Sequence, residues 1–286
     1  MTKASVRPRK QNSAPNIRHL RIFSVIVHLG TVTAAANELN ISQPAATQAI
    51  RSLEKRFGIA LFTRAKTGVF LTEAGKLLEI RINRAFKYLN DIMKVGRRSR
   101  EQQNAWGGRS LAMLTTVQLE AFFSIVRHGS VAAAARSSDR AQPTLHRAAR
   151  ELERVLEIDL FEPSSFGLRP TRAGEKVARC AGLFFHELLQ ADSEIATLLG
   201  RETGMTVIGA MPLARSHIVP KAVLTFMKTH PQHRVSILEA PYETLLTGMR
   251  RGDVDFLVGA MRDVNDTKDV LEQHLFNDSL SILMRP

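Results

Sequence analysis

The chain carries a single cysteine, Cys180, in 286 residues. One thiol excludes an internal disulfide framework and fits a reducing, cytoplasmic setting. No apolar run approaches the ~18–20 residues of a membrane span, so no membrane partner is expected. The basic, polar stretch Met1 to Pro15 has no apolar segment behind it. It is therefore not a secretory signal, and it reads as a disordered basic tail, 1–15. The 9 histidines show no metal-ligand spacing, and there is no P-loop, nucleophile elbow or paired-carboxylate motif. Asp253 and Asp255 flank a strand start and read as turn and cap residues. These absences argue against an enzyme, a metal site or a cofactor.

Acidic residues are scarce in one part of the chain only. Residues 1–115 hold 20 Lys+Arg against 6 Asp+Glu, a net of +14, whereas 116–286 hold 20 against 21, a net of −1. The excess positive charge lies entirely in the first part, which suggests a polyanion partner for that part alone.

What is present is a repeat. The pattern Leu20, Phe23, Gly30, Ala34–Ala36, Gln43–Pro44, Leu53–Glu54, Leu61–Phe62, Thr72, Ala74–Gly75 recurs without a gap 99 residues later, as Leu119, Phe122, Gly129, Ala133–Ala135, Gln142–Pro143, Leu152–Glu153, Leu160–Phe161, Thr171, Ala173–Gly174. Of the 56 aligned positions from 20 to 75, 22 are identical. The chain thus holds a duplicated domain, and each copy serves as a control for the other.

Within the first copy, apolar residues at helical spacing predict a helix over about 18–28, closed by Gly30. Thr31 is placed to cap a second helix through Ala34–Ala36 and Leu39. Asn40–Ile41–Ser42 makes a tight turn, and Ser42 caps a third helix with Pro44 in its first turn. That helix divides into an apolar side (Ala46, Ala49, Ile50, Leu53, Phe57) and a polar one (Gln43, Thr47, Gln48, Arg51, Lys55). A polar-amide start followed by basic residues suits a helix whose first turns enter the major groove while later residues meet phosphate. Residues 58–71 read as a hairpin with a basic tip, a wing that would set Arg64 and Lys66 beside the DNA backbone or minor groove.

The string AAANELNISQPAATQAIRSLEKRFGIALFTRAKTGVFLTEAG resembles the winged helix-turn-helix of LysR-type transcriptional regulators. The resemblance implies a DNA-binding unit over 16–77. It assigns groove reading to Ser42, Gln43, Pro44, Thr47, Gln48 and Arg51, and wing contact to Arg64, with double-stranded DNA as partner and RNA polymerase as a further one.

The second copy, 116–176, is degenerate. Leu39, Ile41 and Ser42 become Ser138, Arg140 and Ala141, Gly58 becomes Glu157, and the wing residues Arg64 and Lys66 become Pro163 and Ser165. Its net charge is +1 (9 basic, 8 acidic), against +5 (8 basic, 3 acidic) for 16–77. Gln142, His146, Arg147 and Arg150 still occupy the groove side of its third helix. Two readings stay open: auxiliary DNA contact without a wing, or a packing and dimerisation role.

Each copy is followed by a helix with apolar residues at 4-3-4 spacing, 78–96 and 177–200, the signature of a helix that pairs with another helix. The resemblance implies homo-oligomers, dimer or tetramer, through these linker helices. Two such helices in one chain also permit pairing within it. Residues 97–115 between them read as an exposed hinge. From 205 to 286, strand and helix alternate: strands Met205–Met211, Arg234–Leu238 and Val254–Gly259, helices from Pro212 to about Lys228 and Glu243–Arg250, and a strand at Leu280–Leu283. This implies a parallel α/β sheet.

The segments GAMPLARSHIVP, FMKTHPQHRVSILEA and LLTGMRRGDVDFLVGAM resemble the start of the LysR effector-binding domain, which is like periplasmic solute-binding proteins. Ligands of such sheets sit beyond strand C-termini at helix starts. Met211, Pro212, Leu213, Ala214, Arg215 and Ser216 are therefore candidates to hold an organic-acid or sugar-acid effector. The region is too short for a two-lobed domain, as in a fragment or a natural truncation. The expected fold is multi-domain: two mainly-α winged helix-turn-helix domains with long linker helices, then a partial α/β domain. The expected function is an effector-controlled, sequence-specific transcriptional regulator. The alternative is a truncated interaction protein that dimerises and titrates full-length regulators.

Overall fold

The structure, a computed structural model, describes residues 14–65, 68–96, 108–164, 167–201, 204–261 and 269–277. The first copy consists of α1 (Ile17–Leu29), α2 (Val32–Glu38), α3 (Gln43–Phe57), the hairpin β1 (Phe62–Ala65) and β2 (Gly68–Leu71), and the long α4 (Glu73–Val95). Local chemistry sets these bounds. The Asn16 side chain accepts the Arg18 N–H at the start of α1, and Gly30 ends it at φ 73°. Thr31 and Ser42 cap α2 and α3 by accepting the Ala34 and Ala45 N–H groups at 3.1 and 3.3 Å, satisfying donors that a helix start leaves free.

A short α5 (Gly108–Met113) precedes the second copy: α6 (Thr116–His128), α7 (Val131–Ser138), α8 (Gln142–Leu156), β3 (Phe161–Ser164), β4 (Gly167–Pro170) and α9 (Arg172–Leu198). The expected exposed hinge is thus corrected over its described part. Residues 108–113 are helical, and Leu111 and Leu114 are buried against the common core because they are apolar. The rest of the hinge, 97–107, lies outside the described residues. Of the basic tail only Ala14 and Pro15 are described, and they are fixed: the Glu120 carboxylate accepts the Ala14 N–H at 3.1 Å, and the Pro15 carbonyl accepts from the Thr116 hydroxyl.

The two copies share one apolar core. Antiparallel packing of α4 on α9 joins them. Arg81, in the first half of α4, bonds Glu187 and Glu194 in the second half of α9. Asp91, near the other end of α4, acts on Cys180 in the first half of α9. Phe86 and Phe185, related by the 99-residue repeat, are both buried in the common core. The apolar faces of this α4–α9 seam meet inside one chain, the pairing that two such helices in one chain permit.

The third part has a parallel sheet in the order β6 (Arg234–Leu238), β5 (Met205–Ala210), β7 (Phe256–Val258). Helices α10 (Pro212–Arg215), α11 (Ile218–Thr229) and α12 (Tyr242–Arg250) connect the strands. The helix expected from Pro212 to about Lys228 is therefore two. Its break at Ser216–His217 places Pro220 in the first turn of α11, where a missing N–H costs little, instead of in a helix interior. This part rests on the second copy: Arg127 meets Asp253 at 3.2 Å and Arg179 meets Asp269 at 2.8 Å. The expected strand at Leu280–Leu283 lies outside the described residues.

Candidate nucleic-acid interface

The first copy builds a polar surface on α3. Ala46, Ala49, Ile50, Leu53 and Phe57 are buried beneath the helix. That orientation turns Ser42, Gln43, Pro44, Gln48, Arg51 and Lys55 to solvent, with Thr47 half-buried. The turn that delivers this helix is a tight one. Asn40 takes φ 51°, and the Ile41 N–H returns to the Ala36 carbonyl at 3.0 Å. The Thr47 hydroxyl donates back to the Gln43 carbonyl at 3.0 Å, whereas Arg51 and Lys55 form no ion pair among the described residues. These two cations stand ready for an external anion.

The wing pairs Phe62 to Leu71 through Ala65 to Gly68 as antiparallel strands, with Arg64 opposite Val69. Its tip is held against the α1–α2 corner, since the Val69 N–H donates to the Gly30 carbonyl at 3.0 Å. A Cβ at Gly68 would lie 2.7 Å from that same carbonyl oxygen, which requires glycine there. Only the backbone of Arg64 is described, and Lys66 lies outside the described residues.

The second copy keeps the frame and spends its polar residues differently. α8 buries Leu145, Ala149, Leu152 and Leu156 and exposes Gln142, His146 and Arg147. Ala141 gives α8 no side-chain cap. Arg150, equivalent to Arg51, is bound to Glu153 at 2.8 Å. Glu153 is itself buried and accepts the Leu160 and Phe161 N–H groups at 2.8 and 3.1 Å. Glu54, its equivalent, accepts only the Leu61 N–H, at 2.9 Å, among the described contacts. Arg140, in place of Ile41, bonds Glu120 at 2.9 Å. The expectation that this copy lacks a wing is corrected: β3 and β4 form the same hairpin, Phe161 opposite Pro170 and Ser164 opposite Gly167. The backbone register survives the side-chain changes, and what is gone is the basic tip. Its Arg169 pairs with Glu162 at 2.6 Å.

Sequence reasoning missed the charges that join the copies. Arg81 donates to Glu187 at 2.9 Å, and it bonds Glu194 through both Nε (3.0 Å) and a terminal nitrogen. The hydrogen bond to Glu194, with that to Glu187, pushes the Arg81 pKa up. Arg56 of α3 bonds Asp192 of α9 at 2.7 Å. Burial pushes the Asp192 carboxyl up against the pull of Arg56. The available signal was weak: two glutamates seven residues apart beside the apolar seam of one linker helix, and an arginine beside the other.

The effector candidates gather between β5 and α11, but not as a ready anion site. Ala214 is buried, and Arg215 is already ion-paired with Glu239. The reading of Arg215 as a free anion holder is corrected by that neighbouring carboxylate. α10 also has only 4 residues, with no side-chain cap at Met211. Pro212, Leu213 and Ser216 are exposed and Met211 half-buried. One depression among the described residues of this part is lined by His217, Ile218, Lys221, Ala222, Thr225 and Phe226. No group of three His, Cys, Asp or Glu that could hold a metal occurs among the described residues. No single helix among them is long and apolar enough to cross a membrane.

Both copies and the α/β part resemble known proteins. Residues 17–76 and 116–175 each match the bacterial regulatory helix-turn-helix protein family, lysR type, and residues 200–286 match the LysR substrate binding domain. The chain is 32% identical over 271 residues to the HTH-type transcriptional regulator GalR of Pseudomonas putida, covering 95% of this chain and 66% of GalR. An alignment of that extent spans both copies. It is 30% identical over 167 residues to the regulator PcaQ of Agrobacterium fabrum, covering 58% of this chain and 54% of PcaQ. Among solved structures, a full-length OxyR variant from Pseudomonas aeruginosa aligns with a TM-score of 0.42 and 21% identity over 53% of this chain and 51% of that one. The chain thus spans about half to two-thirds of the length of these relatives. With two helix-turn-helix copies and a substrate-domain segment all matching one family, the chain belongs to the LysR family of bacterial regulators.

Proposed function

We propose that the protein is a sequence-specific DNA-binding transcriptional regulator whose first copy reads its operator. The observation that carries this reading is the exposed face of α3: capped at Ser42, polar at Gln43, Thr47 and Gln48, and ending in Arg51 and Lys55 without internal ion pairs among the described residues. Amide and hydroxyl groups at the helix start suit base edges, and the later cations suit phosphate. Arg64 and Lys66 of the wing add backbone contacts. Gln142, His146, Arg147 and Arg150 give the second copy a weaker, auxiliary role, because Arg150 is engaged by Glu153. The partners are double-stranded DNA, RNA polymerase at the promoter, and further copies of the chain. The setting is cytoplasmic, and no catalytic role is assigned.

The α/β part receives a small-molecule effector, with Arg215 left out as its anion holder because Glu239 already engages it. The match of residues 200–286 to the substrate binding domain supports this reading. The alternative, a protein that titrates full-length regulators through its linker helices, has less support because α4 and α9 already cover each other. A footprint of the purified protein on the DNA upstream of its own gene tests the proposal. A protected site is expected, and no protection at 50 mM salt overturns it.

A further inference from the structure

We infer that the two helix-turn-helix copies pair with each other inside one chain as unlike halves of an internal dimer, and that Arg81, Glu187 and Glu194 select this pairing over pairing between like copies of two chains. The first support is symmetry. Ile17 and Thr116 are the same position of the repeat, and they meet: the Ile17 N–H donates to the Thr116 hydroxyl at 3.0 Å across 99 residues. α4 and α9 also run antiparallel, and the equivalent Phe86 and Phe185 are both buried in the common core. Two copies related by a two-fold axis meet themselves in this way.

The second support is where that symmetry fails. Shifting each contact by 99 residues gives its mirror image across the axis. The mirror of Arg81 with Glu187 is Cys180 with Tyr88, and that of Arg81 with Glu194 is Cys180 with Val95. The mirror of Arg56 with Asp192 is Val155 with Met93. Each of these three charged contacts therefore has an uncharged counterpart.

Pairing α4 with the α4 of another chain would set Arg81 against Tyr88 and Val95, and Arg56 against Met93. Pairing α9 with α9 would set Glu187 and Glu194 against Cys180, and Asp192 against Val155. Arg81 and Glu187 have side chains only 16% and 10% exposed. A buried charge that loses its partner is strongly destabilising, so both like pairings are disfavoured and the unlike one is left. This is a repulsive device as well as an attractive one. Tethering the halves in one chain raises their effective concentration and favours closure within the chain over exchange between chains.

The consequence for DNA rests on the function proposed above. One chain presents two unequal reading heads, so the site it protects should be asymmetric, with one half-site contacted through α3 and a weaker one through α8.

The pairing itself is tested without DNA. Cys180 lies close enough to Tyr88 to bear on the ionisation of the phenol, and it is the chain's one cysteine. A Tyr88→Cys variant treated with a short bismaleimide should form an 88–180 link within a chain of monomer mass, at the same yield over a hundredfold dilution. Links from 88 to 88, from 180 to 180 or between chains, or no link at all, overturn the internal pairing. Adding Arg81→Glu should abolish the link, and adding Glu187→Lys and Glu194→Lys to that protein should restore it. Failure of the triple exchange to restore the link overturns the selecting role of these charges. A footprint that survives either failure leaves the DNA-reading proposal standing.

Discussion

The two helix-turn-helix copies share a backbone and differ in what their charged side chains touch. In the first, Arg51 and Lys55 are exposed and engage no carboxylate among the described residues. In the second, Arg150 is bound to Glu153, Arg140 to Glu120, Arg154 to Glu151 and Arg127 to Asp253. The divergence is therefore a redirection. Several cations of the second copy are engaged by its own helices and by the α/β part, while Arg147 stays exposed. Its carboxylates receive the first copy: Glu120 takes the Ala14 N–H, and α9 supplies the partners of Arg81 and Arg56. On the function proposed above, one duplicated frame yields a stronger and a weaker reading head.

This contrast predicts a graded set of outcomes. The largest concerns salt. Binding with several phosphate contacts should weaken by ~10³–10⁵-fold between 50 and 200 mM salt. Replacing Arg51 and Lys55 together should lower the log–log salt slope by about two, and replacing Arg150 and Arg154 should lower it by clearly less; equal changes in a titration series break the contrast.

Next comes the shared frame, where the copies should agree. Leu53 and Leu152 are equivalent and fully buried. Each Leu→Ala change should cost ~2–5 kcal/mol in denaturant unfolding, and a large difference between them would mean that the cores are not alike. The smallest effect is the cap. Ala141→Ser should stabilise the protein and Ser42→Ala destabilise it, each by ~1 kcal/mol in thermal unfolding. No gain from Ala141→Ser would show that α8 compensates for its missing cap in another way.

Local signals in the sequence positioned most elements of the copies. Ser42 before Gln43–Pro44, Thr31 before the alanine run, and Gly30 and Gly129 at left-handed helix ends act within a few residues, so their effects can be read without knowing the fold. The alternation of apolar positions likewise separated the buried from the exposed side of α3. What escaped depends on distant partners. Arg81 meets Glu187 across 106 residues, and Arg56 meets Asp192 across 136. The two linker helices could be recognised, but not that each would find the other. Arg150 lay on the expected side of α8, yet its bond to Glu153 depends on that carboxylate being held by the Leu160 and Phe161 amides. The break between α10 and α11 does have a local signal, Pro220, which is unsuited to the interior of one continuous helix.

The most direct test of the unequal copies is the affinity of the footprinted site for Arg51→Ala and Arg150→Ala, measured side by side at one salt concentration. The account predicts a loss of ~1–3 kcal/mol for Arg51→Ala and a clearly smaller one for Arg150→Ala. Equal losses, or a larger one for Arg150→Ala, would contradict it.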